Sequence, residues 1–375
     1  MSLLKQSHPR QESINNAQQP SLERKLEGSE TKRKDLEREF EIALASTPLK
    51  PIYMPIGADW HHGESLTSIL FRACNRMGLT GIQPLINELG WQEAKLIRPN
   101  QIVQAAKSIR VKSRELATSC PISIDDKSVF FSGHRLDKKH VTTNEIRICA
   151  ACFQENGFGR KEWQLRALMV CPGHRAPLIS ACSDCLAQLS NARPGYGQCR
   201  CGYQYSSKVN SSSDSAVLVA SLLVAKFYGR STSTYVQRLG LPVDAINAIP
   251  LSGLLDLVCI LGMAGRDPAK FQLRRLEWPF DGERGVVNFN VASEAVANWP
   301  IGLFARLRSV RMYTPWEDSP TQVNKTLDHI LRTATHHMQP DAGRLLLDGI
   351  AQFLRRPHEW NEHRRKTFEE SECLV

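Results

Sequence analysis

Four pairs of soft metal ligands fall between Cys149 and Cys201: Cys149-Ala-Ala-Cys152, Cys171-Pro-Gly-His174, Cys182-Ser-Asp-Cys185 and Cys199-Arg-Cys201. No other feature of the chain restricts its folding as strongly. Two ligands separated by two residues share one tight turn and reach a single ion, at ~2.3 Å for sulfur and ~2.0 Å for imidazole nitrogen, and two such turns complete a tetrahedral shell. The ligands therefore suffice for two closed zinc sites. Taken sequentially, Cys149, Cys152, Cys171 and His174 hold one ion, and Cys182, Cys185, Cys199 and Cys201 hold the other. An interleaved cross-brace, joining the first pair to the third and the second to the fourth, uses the same ligands. Gly173 and Gly202 stand where sharp turns are needed. A disulfide framework fits poorly, because the polar start from Met1 to Gln19 lacks the apolar core of a secretory signal.

With four protein ligands each, neither site keeps an open position. Both zinc ions read as structural, and their binding supplies folding free energy to a segment too short to bury a core of its own. The sequence has no His-Glu-x-x-His, P-loop, strand-borne Gly-x-Gly-x-x-Gly or Gly-x-Ser-x-Gly elbow, and Asp125 and Asp126 lack the setting of a metal-dependent nuclease. The expectation is a binder, not an enzyme.

The formal charge of +10 is unevenly placed: residues 51–208 carry 20 Lys and Arg against 12 Asp and Glu, whereas the flanking parts are nearly balanced. A polyanion would be met in that middle part. No run of eighteen apolar residues exists, so a soluble, intracellular protein without a membrane partner is expected.

Composition and periodicity divide the chain into four expected parts. Residues 1–50, polar and then alternating in charge, form a disordered or docking extension. Residues 51–145 form a helical domain. Gly63-Glu64-Ser65 starts a helix, Leu66, Ile69, Leu70, Ala73 and Met77 follow at helical spacing, and Gly78 ends it; Ile82, Leu85, Ile86 and Leu89 mark a second short helix. The pair is a helix-turn-helix candidate. Its basic companions Arg72, Arg76, Lys107, Arg110, Lys112 and Arg114, together with Arg160 and Lys161 further on, are candidate nucleic-acid contacts. A further helical pattern runs from Ile97 to Leu116, and Ile122 to Val141 is β-like. Residues 146–208 are the tandem zinc module, where Trp163, Leu165, Leu168 and Val170 are expected to pack against the helices. After a Ser-rich linker, residues 209–375 form a helical C-terminal domain. The fold class expected is mostly α: a helical N-terminal helix-turn-helix unit and a helical C-terminal domain flanking a small double-zinc module with minor β content.

Gly63-Glu64-Ser65-Leu66-x-Ser68, Arg147-Ile148-Cys149-x-x-Cys152, Trp163-Gln164, Cys171-Pro172-x-His174-x-x-Pro177-Leu178, and the later Cys182-x-x-Cys185 and Cys199-x-Cys201-Gly202 resemble the TniQ/TnsD family. Asn298-Trp299-Pro300-x-Gly302-Leu303-Phe304 is similar to a C-terminal motif of that family. Ile69 departs from the family pattern, which usually has Trp there, and the long N-terminal extension is atypical. The family chooses targets for cut-and-paste bacterial transposons. The resemblance implies a zinc-containing, non-catalytic adaptor of the bacterial cytoplasm and nucleoid that marks target DNA and recruits an AAA+ ATPase regulator and, through it, the transposase. Some members bind DNA directly, whereas shorter ones ride as a homodimer on an RNA-guided CRISPR complex. Two other readings stay open. One is a cross-brace zinc protein of the ubiquitin-ligase kind, against which the ligand spacings weigh; the other is a zinc-dependent transcriptional DNA-binding protein.

Overall fold

The computed structural model describes residues 59–91, 97–142, 145–206, 212–263, 282–312 and 330–355, all within one compact unit, Leu49–Val375. The extension expected over residues 1–50 lies outside the described residues. The fold is mostly helical with two small antiparallel sheets, as expected.

Helix α1 (Leu66–Arg76) starts where the Ser65 hydroxyl accepts the Ser68 N–H, and it buries Leu66, Ile69, Leu70, Phe71, Ala73 and Cys74. Gly78 and Gly81, at φ of +72° and +74°, turn the chain into α2 (Gln83–Glu88). This is the expected helix-turn-helix order. The helical pattern from Ile97 to Leu116 resolves into α3 (Pro99–Ile109) and α4 (Ser113–Ala117), because Arg110 takes a left-handed φ of 55° and ends the first ladder. Strands β1 (Ile122–Ser123), β2 (Ser128–Phe131) and β3 (His134–Asp137) form a meander in that order. Val129 stands opposite Leu136 on its buried face. The cysteine-rich segment adds α5 (Ala150–Asn156) and the paired strands β4 (Val170–Cys171) and β5 (Ala176–Pro177).

The C-terminal helices are α6 (Asp214–Phe227), α7 (Ser233–Arg238), α8 (Val243–Ala248), α9 (Leu251–Met263), α10 (Gly282–Val296), α11 (Ile301–Met312) and α12 (Pro340–Arg355), with residues 330–336 also largely helical. Nearly every side chain of α9 is buried, from Leu251 through Leu261. A helix apolar on all sides belongs at the centre of a bundle, and α9 packs on α6, α10, α12 and, across the molecule, β3. Among the described residues no helix is long and apolar enough to cross a membrane.

The one charged residue of α9 ties the helix to the turn that follows β3. Asp256, almost wholly buried, meets Lys139 Nζ at 2.7 Å and His140 Nε2 at 3.2 Å through one carboxylate oxygen, and accepts the Gln339 N–H on the other. Burial acts to raise the pKa of this carboxyl, but His140 and Lys139 outweigh it and hold the carboxyl below its ordinary value. A carboxyl whose folded pKa is depressed contributes stability above its unfolded pKa, roughly 3.9, and loses it as pH falls through the folded value. Asp256→Ala should therefore cost about 3 kcal/mol at pH 7, and the difference from wild type should shrink in urea titrations at pH 3.5. An equal difference at both pH values would exclude the ionic tie as its source.

Candidate metal centres and basic face

Cys149 caps the N-terminus of α5, Cys152 lies in its first turn, Cys171 ends β4 and His174 occupies the turn into β5. Their ligand atoms all lie within 4.8 Å of one another. The sulfurs of Cys152 and Cys171 are 3.5 Å apart, and His174 Nδ1 stands 3.5, 3.2 and 3.6 Å from the sulfurs of Cys149, Cys152 and Cys171. A tetrahedral zinc ion needs edges of about 3.8 Å between sulfurs and about 3.5 Å from sulfur to nitrogen, given its usual bond lengths. The cradle fits such an ion. Contacts from Cys152 and then Cys171 hold the Cys149 thiol well below its ordinary value, while Cys152 is driven up. Three sulfurs crowded around one point cannot all carry charge without a cation among them.

The His174 Nε2–H donates to Glu155 at 2.8 Å, which leaves Nδ1 as the ligand nitrogen. Glu155 escaped the sequence reading. Its signal is the spacing of three from Cys152 on α5, which puts both on one side of the helix.

Cys182, Cys185, Cys199 and Cys201 form the second cradle, again within 4.8 Å. Cys182 and Cys201 have their sulfurs 3.7 Å apart, and Cys185 and Cys199 3.6 Å. Each cradle thus joins consecutive pairs, and the interleaved arrangement is not the one formed. The short Cys199-x-Cys201 spacing is accommodated by Gly202 at φ +92° and by the Cys199 N–H donating to the Tyr203 carbonyl. The two cradles differ in exposure. Cys149, Cys152 and Cys171 are all buried, whereas Cys185 and Cys201 are exposed. Away from both, Cys74, Cys120 and Cys259 are core thiols whose pKa burial raises, Cys74 to about 11.

The Gly63-to-Ser68 motif joins α1 to the first cradle. Buried Glu64 accepts the Ser68 hydroxyl proton at 2.8 Å and pairs with Arg72 at 2.6 Å. Ser68 Oγ in turn accepts the Gly159 N–H, the Ser65 N–H donates to the Gly159 carbonyl, and the Lys161 N–H donates to the Gly63 carbonyl. Trp163, Leu165, Leu168 and Val170 are buried, as their apolar character suggests. The second cradle is tied to the same helix by Arg193, whose buried guanidinium lies 5.2 Å from the Phe71 ring centre and 4.6 Å from that of Tyr196.

These contacts sort the basic residues. Arg72 is engaged by Glu64, and Arg76 pairs with Asp59 at 2.6 Å. Arg160 pairs with Glu162. Lys161 is only 5% exposed, donates to the Thr118 carbonyl and lies over the rings of Phe227 and Tyr228; burial lowers its pKa. Its ammonium therefore serves the interior and does not belong to an exposed phosphate-binding face. Lys107, Arg110, Lys112 and Arg114 are all exposed and cluster where α3 passes into α4.

Residues 55–178 match the family model described as TniQ. This stretch is a TniQ segment. It runs from the approach to α1 through β5, so it contains the helix-turn-helix, the meander and the whole first cradle. The TniQ segment covers about a third of the chain, and the second cradle and the C-terminal helices lie beyond it. The chain matches no curated protein.

Proposed function

We propose that this protein is a non-catalytic targeting adaptor of DNA transposition, held together by two structural zinc ions. It marks target DNA, directly or on a targeting complex, and recruits an AAA+ ATPase that brings in the transposase. The observation that carries this reading is the first cradle: a closed Cys3His set inside the TniQ segment, with the basic cluster of α3 and α4 on the same segment. Its soft donor set suits zinc. Four ligands around each ion leave no position for a substrate, so the metals support the binding surface and take no part in chemistry. Consecutive pairing of the ligands counts against a cross-brace ubiquitin-ligase module. The reading includes the four-part division at residues 50, 145 and 208 and a place in the bacterial cytoplasm. Homodimerisation and an RNA-guided carrier belong to one branch of it.

DNA binding across a salt series tests the reading. Lys107, Arg110, Lys112 and Arg114 changed together to Ala should weaken duplex binding and flatten the slope of log K against log salt by up to about 3.6, since each lost phosphate contact removes ~0.9. An unchanged slope would remove this face from the interface. Tight, site-selective binding of the wild type would identify a direct DNA reader; weak, nonselective binding would assign targeting to a carrier complex.

A further inference from the structure

The Asn298-Trp299-Pro300-x-Gly302 motif lies outside the TniQ segment and shapes a pocket that neither cradle uses. Gly302 permits it: a Cβ there would stand 2.2 Å from the Ala297 carbonyl oxygen and 2.4 Å from that of Glu294, so only glycine lets α11 start so close to the end of α10. The backbone N–H of Trp299 donates to the Leu239 carbonyl at 3.1 Å, and its indole lies against Gly349 of α12, where a Cβ would come within 2.9 Å. Trp299 is thereby fixed as one wall. The pocket, about 510 Å³, opens between this wall, α8 and α12.

Trp299, Pro300, Ala245 and Ala248 make its surface apolar, and Asp341, Arg344 and Asp348 of α12 supply charge. Ile301, the residue after Pro300, is 60% exposed and extends the apolar character outward. Asp341 and Asp348 stand two turns apart and share a side of α12, with Arg344 between them. Two carboxylates against one guanidinium make the site net acidic, which disfavours a nucleic acid and favours a cationic ligand. The volume is in the range of ligand sites and larger than one side chain, and an apolar floor beside charged groups is how interfaces seat their anchors.

We propose that this pocket docks a short peptide of a partner protein, one that presents one or two bulky apolar side chains beside a Lys or Arg. Resting on the adaptor reading, the peptide belongs to the recruited transposition machinery.

The test uses the full chain and overlapping 15-residue peptides that tile the ATPase and transposase of the same transposon, read by fluorescence anisotropy. At least one peptide with an apolar anchor and a basic flank should bind. Ala248→Trp, at an exposed position of α8, should fill the pocket and weaken that peptide at least tenfold. Asp348→Lys should weaken it and Arg344→Glu should strengthen it, each severalfold, with wild-type melting and metal content retained in all three. If wild type holds the intact ATPase while no peptide binds, or if bound peptides ignore Ala248→Trp and the charge variants, the pocket is not the dock. If wild type holds neither intact partner, the adaptor reading fails and the proposal falls with it.

Discussion

Replacing Cys171 by Ser will unfold the TniQ segment and not merely weaken a ligand. Cys171 is buried, lies in β4 opposite Ala176 of β5, and has its sulfur near both Cys152 and His174. A zinc ion held by such a set contributes about 10–16 kcal/mol of apparent binding free energy, as much as the whole stability of about 5–15 kcal/mol expected of a folded protein. The serine variant should lose one of the two proposed zinc ions, the thermal transition should fall by at least ~15 °C or the protein should become insoluble, and DNA and partner binding should disappear together. Cys201→Ser should be milder. That ligand is exposed and its cradle lies beyond the TniQ segment, so loss of the second ion should lower the transition less than loss of the first. Elemental analysis and calorimetry decide the matter. A Cys171→Ser protein that melts like wild type and keeps both metals would rule out a structural first site.

The metal cradles were legible in the sequence because ligand chemistry restricts both residue type and spacing. Which pairs meet was not, since consecutive and interleaved groupings use the same eight residues, and only the placement of β4 and β5 against α5 decides between them. The helix-turn-helix order and the β character of residues 122–141 were legible from the sequence, whereas the strand order of the meander was not. The division of the 97–116 pattern was not, because Arg110 is an ordinary helix former that here adopts a left-handed conformation. Long-range enclosure was the least visible property. Lys161 beside Arg160 reads as a phosphate-seeking pair, yet the Thr118 carbonyl and two distant rings surround it. Arg193, an arginine in a polar stretch, gives no sequence sign that Phe71 and Tyr196 will flank it. In each case the partners are remote in the chain, and periodicity carries no information about them.

Gly159 joins three parts of the molecule, and Gly159→Ala should show how tightly. Its N–H and carbonyl are both engaged by α1, through Ser68 Oγ and the Ser65 N–H, so its backbone cannot move away without breaking the motif that starts the helix. On its other side, a Cβ would stand 2.0 Å from the Tyr196 ring. That ring is itself hemmed in by Phe71, Phe153 and the Arg193 guanidinium. With backbone and ring both held, one added methyl should cost more than ordinary overpacking of 1–3 kcal/mol, about 4 kcal/mol. Tyr196→Ala alone should cost about 3–5 kcal/mol as a lost aromatic. The double variant should be less damaged than the two losses added, by about 2 kcal/mol or more, because the truncated ring leaves room for the methyl. Urea unfolding of the four proteins measures this coupling. Strict additivity would mean that the methyl is accommodated elsewhere, and that Gly159 does not set the distance between α1 and the tyrosine of the second cradle.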